Sequence, residues 1–193
     1  SIAECENCPI GKFNGNTNLG FPCLPCIPGT TQPQKGQSEC HECVLGRYMA
    51  FAQSKKMTCD KCGEGGYQNE YGQSSCKWCT KGKWSLTPAL TTASDCKECS
   101  AGTYSKAEGA NSDSTCIKCE PGKKGTKVGA ASSEETCEDC VVGRYRSSKE
   151  LDSTICLECP KGQHQNQMGE ASCLSCAPGT TQHLTGQALC NDC

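Results

Sequence analysis

The chain has little of what an ordinary globular domain is built from. Leu, Ile, Val and Phe together number 22 of 193 residues, well below the share from which a packed apolar core is assembled. A conventional single-core domain is therefore not expected. An excess of basic residues is also missing. Lys and Arg number 19 against 21 Asp and Glu, for a net charge of −2, which speaks against a nucleic-acid binder, whose phosphate contacts need a basic surface. No run of apolar residues is long enough to span a bilayer. No Asn-x-Ser/Thr sequon occurs, so N-glycosylation is not expected. The sequence opens without an initiating Met or a signal peptide, which fits processing or a segment of a longer chain. Catalytic signatures are missing as well: no Gly-x-Ser-x-Gly, no P-loop and no His-Glu-x-x-His. His41, His164 and His183 are scattered, so neither an enzyme nor a cofactor is expected.

What the chain does have is cysteine, 22 residues of it, a density that marks a disulfide scaffold made in an oxidising compartment. Bridges then replace the core. Every cysteine belongs to a Cys-x-x-Cys pair, and none is left over. The pairs start at Cys5, Cys23, Cys40, Cys59, Cys76, Cys96, Cys116, Cys137, Cys156, Cys173 and Cys190, 17 to 21 residues apart. This internal period makes residues 1–193 one continuous tandem array. Residues 26–43, CIPGTTQPQKGQSECHEC, are echoed by 176–193, CAPGTTQHLTGQALCNDC. The first copy runs on into VLGRY, so a longer array continuing with a similar Val-x-Gly-Arg-Tyr is the expectation.

Each complete unit has glycine three residues after the second cysteine of its pair: Gly11, Gly29, Gly46, Gly65, Gly82, Gly102, Gly122, Gly143, Gly162 and Gly179. Such regularity implies a backbone requirement, and glycine takes positive φ without steric cost. Pro28-Gly29, Pro121-Gly122 and Pro178-Gly179 carry the type II turn signature. A second turn is expected where Gly36, Gly72, Gly169 and Gly186 stand four residues before the next cysteine. Two residues past the first glycine come Phe13, Tyr48, Tyr67, Trp84, Tyr104 and Tyr145, with Thr31, Lys124, His164 and Thr181 in the other units. The rings are expected to pack on disulfides rather than to form a shared binding surface. The segments are too short and glycine-rich for stable helices. The expected fold is small, disulfide-rich and mostly β: an elongated rod of about ten single-loop modules with short hairpins and little or no helix.

Paired Cys-x-x-Cys motifs at this separation also suit zinc. Four thiolates per ion would consume the pairs two at a time, and eleven pairs leave one over. A thioredoxin-like redox centre would need a βαβ setting that the sequence does not supply. Disulfides are the expected chemistry, with no metal. Spacing alone does not decide their connectivity. One scheme joins the second cysteine of each pair to the first of the next: Cys8–Cys23, Cys26–Cys40, Cys43–Cys59, Cys62–Cys76, Cys79–Cys96, Cys99–Cys116, Cys119–Cys137, Cys140–Cys156, Cys159–Cys173 and Cys176–Cys190. Cys5 and Cys193 would then pair with neighbouring units. The other scheme interlocks first with first and second with second, as in Cys5–Cys23 with Cys8–Cys26.

The repeated phrase Cys-x-x-Cys-x-x-Gly-x-aromatic, as in CEDCVVGRY at 137–145 and CHECVLGRY at 40–48, resembles the ephrin-receptor-like cysteine-rich repeat family. It also resembles the first loop module of tumour-necrosis-factor-receptor cysteine-rich domains. Cys140, Gly143, Tyr145 and Cys156 match that module, as do Cys99, Gly102, Tyr104 and Cys116. Protist surface and flagellar-hair (mastigoneme) proteins are similar in using long Cys-x-x-Cys arrays. The resemblance covers nearly the whole chain. It implies the scheme of one bridge per loop and an extracellular rod, but no particular ligand, and the second, two-disulfide module of the death receptors is missing. The expected function is that of a secreted or cell-surface structural repeat protein: a rod, stalk or matrix fibre that self-associates. The alternative is a receptor or adhesin ectodomain with a protein or glycan partner, and a zinc-binding array is the remote one.

Overall fold

The structure, a computed structural model, describes residues 7–16, 21–52 and 57–193. Cys5 lies outside them. Among the described residues the chain forms ten two-stranded antiparallel sheets and almost no helix. The helical exceptions are one α-turn, Ser133–Thr136, and two 3-10 turns, Ala93–Asp95 and Asp113–Thr115. All ten sheets are built alike. The two residues after the turn glycine pair with the two residues between the cysteines of the next pair, as Arg144–Tyr145 does with Leu157–Glu158. The Cys-x-x-Cys motif is thus itself a strand, its central residues laddered and its cysteines fixed at either end.

The bridges run Cys8–Cys23, Cys26–Cys40, Cys43–Cys59, Cys62–Cys76, Cys79–Cys96, Cys99–Cys116, Cys119–Cys137, Cys140–Cys156, Cys159–Cys173 and Cys176–Cys190. Each closes one loop, and the loops are numbered here as modules 1 to 10. Loops of this length stabilise the fold by about 3 kcal/mol each in the chain-entropy account. With so little apolar side chain, the bridges also form most of the core, and nine of them bury at least one sulfur-bearing residue.

The turn glycines all have positive φ, between 71° and 86°. In every module the residue after the glycine donates its N–H to the carbonyl two residues before it, as Lys123 does to Glu120 at 3.1 Å and Arg144 to Val141 at 3.1 Å. The glycine carbonyl then accepts from the second cysteine of the following pair, as Gly122 does from Cys140 at 2.8 Å. Return-turn glycines at 36, 72, 109, 129, 169 and 186 are also at positive φ, and in module 5 Ala89 takes that place at φ 60°.

The chain forms two compact units. One comprises Ser1–Cys79, Ser85–Lys97 and Gly109–Asn111, and the other Thr80–Trp84, Glu98–Glu108 and Ser112–Cys193. Within each unit, successive modules stack by backbone hydrogen bonds. The glycine N–H of one module donates to the carbonyl three residues past the glycine of the next: Gly46 to Gln68 at 2.8 Å in the first unit, Gly143 to Gln165 at 2.7 Å in the second. The return-turn N–H of the later module donates back to the second cysteine's carbonyl of the earlier one, as Gly72 does to Cys43 and Gly169 to Cys140, both at 2.9 Å.

The same glycine also meets the module after next. A Cβ on Gly29 would stand 1.9 Å from the carbonyl oxygen of Gly72, and one on Gly122 would stand 1.9 Å from that of Gly169. Around Gly162 nothing lies within 4 Å. Alanine at Gly162 therefore incurs only the positive-φ penalty, roughly 1–2 kcal/mol, whereas Gly122→Ala must also push modules apart. Chemical denaturation with the disulfides intact should find Gly122→Ala at least twice as destabilising as Gly162→Ala. Equal losses would contradict the stacking.

Candidate functional site

The surfaces repeated in every module are the stacking faces, and the side chain at their centre is the third residue after the turn glycine. In seven of the ten loops its identity follows loop length. The four loops with a separation of 14 between bridged cysteines carry Gln32, Gln68, Gln165 and Gln182 there. All four are buried. Each Nε2 donates seven residues ahead, to the carbonyls of Glu39, Ser75, Ser172 and Leu189 at 2.6–2.8 Å. Each Oε1 accepts from the N–H two residues on, at 2.9–3.1 Å. One amide side chain thereby satisfies both sides of a loop too short to close on its own backbone.

The loops with separations of 17 and 18 use the small residues Ser85, Ser105 and Gly125 instead. Their extra residues wind into the three helical turns. The turn Ala93–Asp95 is held by Asp95, whose carboxylate accepts from the Thr92 N–H at 2.9 Å. The hydrogen bonds from Thr92 hold the Asp95 carboxyl below its ordinary pKa.

Module 8 departs from both patterns. It has no return-turn glycine, and its third residue is Arg146, which is 2% exposed. The guanidinium donates to the carbonyls of Cys119, Glu120 and Lys123. Cys119 thus receives from a side chain the donation that other modules take from a return-turn amide. Burial lowers the Arg146 pKa, with Asp152 and Glu150 opposing.

The expected site residues are distributed as follows. The turn glycines and bridged cysteines lie at the stacking faces just described. Phe13, Tyr48, Tyr67, Trp84, Tyr104 and Tyr145 are all half-buried. Tyr67 packs against the cluster of Cys79, Leu90 and Cys96, so it covers the bridge of the following module rather than its own. In module 3, Met49 packs with Cys43 and Cys59. His41 and His183 are exposed, and His164 places Nδ1 3.2 Å from the Sγ of Cys190. His164, Cys176 and Cys190 form the one group close enough for a metal among the described residues, but both its sulfurs are joined in a disulfide, which leaves no thiolate to ligate. Cys193 is exposed and is bridged to none of the described residues.

Ion pairs line the hairpins. Lys83–Glu98, Lys123–Asp139 and Arg144–Glu158 join the first residue after a turn glycine to the second residue between the next cysteines, at 3.1, 2.9 and 2.7 Å. The Asp139 carboxylate, by hydrogen bond and charge, raises the Lys123 pKa. These carboxylates also cover return-turn glycines. Glu98 lies over Gly129, Asp139 over Gly169 and Glu158 over Gly186. The pairs are exposed and contribute little to stability.

The glutamines and Arg146 were not singled out from the sequence. A Gly-x-x-Gln spacing recurs in four units, always with the next cysteine eight residues after the glutamine, and that was the available signal. For Arg146 no comparable signal exists.

Ten disulfides are the chemistry of an oxidising compartment. No helix among the described residues is long and apolar enough to cross a membrane. No protein-family model matches the chain, and no curated protein matches it. It is a tandem array of ten disulfide-bonded modules, each a β-hairpin.

Gln165→Ala removes two hydrogen bonds from the interior of module 9 and should cost about 1–3 kcal/mol. Hydrogen exchange should accelerate at the Gln167 amide. Gln163→Ala, on the hairpin strand, should cost under about 0.5 kcal/mol. If the two variants are equally stable, the loop-spanning role assigned to the buried glutamines is wrong.

Proposed function

We propose that this is an extracellular structural protein: a disulfide-stapled rod, stalk or fibre that associates with further copies of itself. The observation that carries the reading is the repeated interface. Within each unit most modules offer the next the same glycine N–H and cysteine carbonyl and receive the same return turn, with Arg146 taking over that donation at Cys119. Contacts that recur by translation let an array extend without a new solution at each step. When such contacts do not close on themselves they generate filaments.

The ephrin-receptor-like resemblance supports the same reading. A Gly-turn loop closed by a bridge to the next cysteine, as in Cys140–Cys156 with Gly143 and Tyr145, is the shared unit. Twenty of the 22 cysteines are committed to bridges and the histidines are dispersed, so no catalytic role or cofactor is part of this reading.

Negative-stain electron microscopy of native, non-reduced material tests it. Ordered filaments or laterally associated bundles, lost on reduction, are expected. Dispersed single molecules at every concentration would contradict self-association and favour a ligand-binding ectodomain.

A further inference from the structure

Tyr67, two residues past its turn glycine, covers the bridge of the following module, Cys79–Cys96. In module 9 the corresponding residue is His164, fixed on a hairpin strand opposite Leu174. Its Nδ1 lies 3.2 Å from the Sγ of Cys190, in the Cys176–Cys190 bridge of module 10. A disulfide sulfur has no hydrogen to give, so in this contact Nδ1–H is the donor. No other module carries an imidazole in this place.

Cys176–Cys190 is also the one bridge of the ten in which neither cysteine is buried. The neighbouring Cys159–Cys173 has the same separation of 14 and the same glutamine-spanned loop. There, however, Cys159 is fully buried, and Tyr145 holds the place of the histidine. Exchange at a disulfide is faster where the sulfurs are accessible and where the departing thiolate is stabilised. A donor already aimed at the departing sulfur binds it more strongly once the charge has formed. Other bonds hold this loop besides the bridge. Gln182 donates to the Leu189 carbonyl, next to Cys190, and the Gly186 N–H donates to the Cys159 carbonyl, both at 2.8 Å. Opening the bridge therefore leaves the module tied to itself and to module 9.

We propose that Cys176–Cys190 is a site of thiol–disulfide exchange, opened by a dithiol, and that His164 directs the reaction to release Cys190. One thiolate of the dithiol attacks the Sγ of Cys176 and forms a mixed disulfide. The bond between the two cysteines breaks, and its electron pair leaves on Cys190 as a thiolate that accepts from His164 Nδ1–H. The second thiolate of the reagent then attacks its own sulfur in the mixed disulfide and releases Cys176. The bridge has gained two electrons and, by way of solvent, the two protons of the dithiol, which has become a cyclic disulfide. The inference does not rest on self-association and stands whether or not the protein forms fibres.

The test is timed reduction of the native, fully oxidised chain with dithiothreitol. Thiols free at the start are blocked with N-ethylmaleimide. Those that appear later are alkylated with iodoacetamide and located by peptide mass. Cys176 and Cys190 are expected to be alkylated first, at least about tenfold faster than Cys159 and Cys173. His164→Tyr puts in this place the residue that modules 3, 4, 6 and 8 carry. It should slow the opening of Cys176–Cys190 about tenfold, as expected for loss of one charge-assisted contact, and leave the rates of the other bridges unchanged. A misfolded variant would lose all its bridges together. In that event His164→Phe, matching Phe13 of module 1, carries the test with the same expected slowing. Earlier opening of another bridge, simultaneous loss of all bridges in the wild-type chain, or a wild-type rate at Cys176–Cys190 in the folded variant would overturn the proposal.

Discussion

The rest of the structure depends on one backbone donation, made by eight of the ten turn glycines: the glycine N–H of one module to the carbonyl three residues past the next module's glycine. Gly46 makes it to Gln68 and Gly143 to Gln165, in both cases with the glycine at positive φ. The left-handed conformation aims the amide at the neighbouring module. It also leaves the α-carbon bare on the side where the module after next arrives. A side chain there would strain the turn and strike a carbonyl. Two separate requirements, on conformation and on space, thus fall on the same atom, and glycine is the residue that meets both.

Given that donation, the remaining interior is polar and is satisfied locally. In loops of separation 14, a buried glutamine spans the loop. In loops of 17 or 18, a helical turn takes up the slack. In module 8, where no return-turn glycine occurs, an arginine side chain supplies the missing donor. All three devices obey the rule that a buried backbone group must be paired. No buried side-chain nitrogen or oxygen among the described residues is left without a partner. Disulfides do the holding that apolar burial does elsewhere, and rings such as Tyr67 add the small apolar contact that joins one module's strand to the next module's bridge.

Much of this was legible from the residues. The hairpin-like modules, the positive-φ turn and the near-absence of helix follow from glycine and cysteine spacing, because a single residue type meets each constraint. The position of the strand inside Cys-x-x-Cys was less legible, since pairs such as Lys77–Trp78 and Asn191–Asp192 share no side-chain character. There the ladder is set by the turn and the bridge rather than by propensity. Contacts to the module after next left no trace beyond the glycine itself.

The central claim is that each bridge closes one glycine-turned loop and leaves the stacking to the backbone. Disulfide mapping tests it most directly: native protein is cleaved between the cysteines of each pair under acidic conditions that prevent exchange, and the linked peptides are identified by mass. The account predicts links such as Cys140–Cys156 and Cys159–Cys173, each spanning a single turn glycine. Interlocked links such as Cys140–Cys159, or free thiols at these positions, would contradict it.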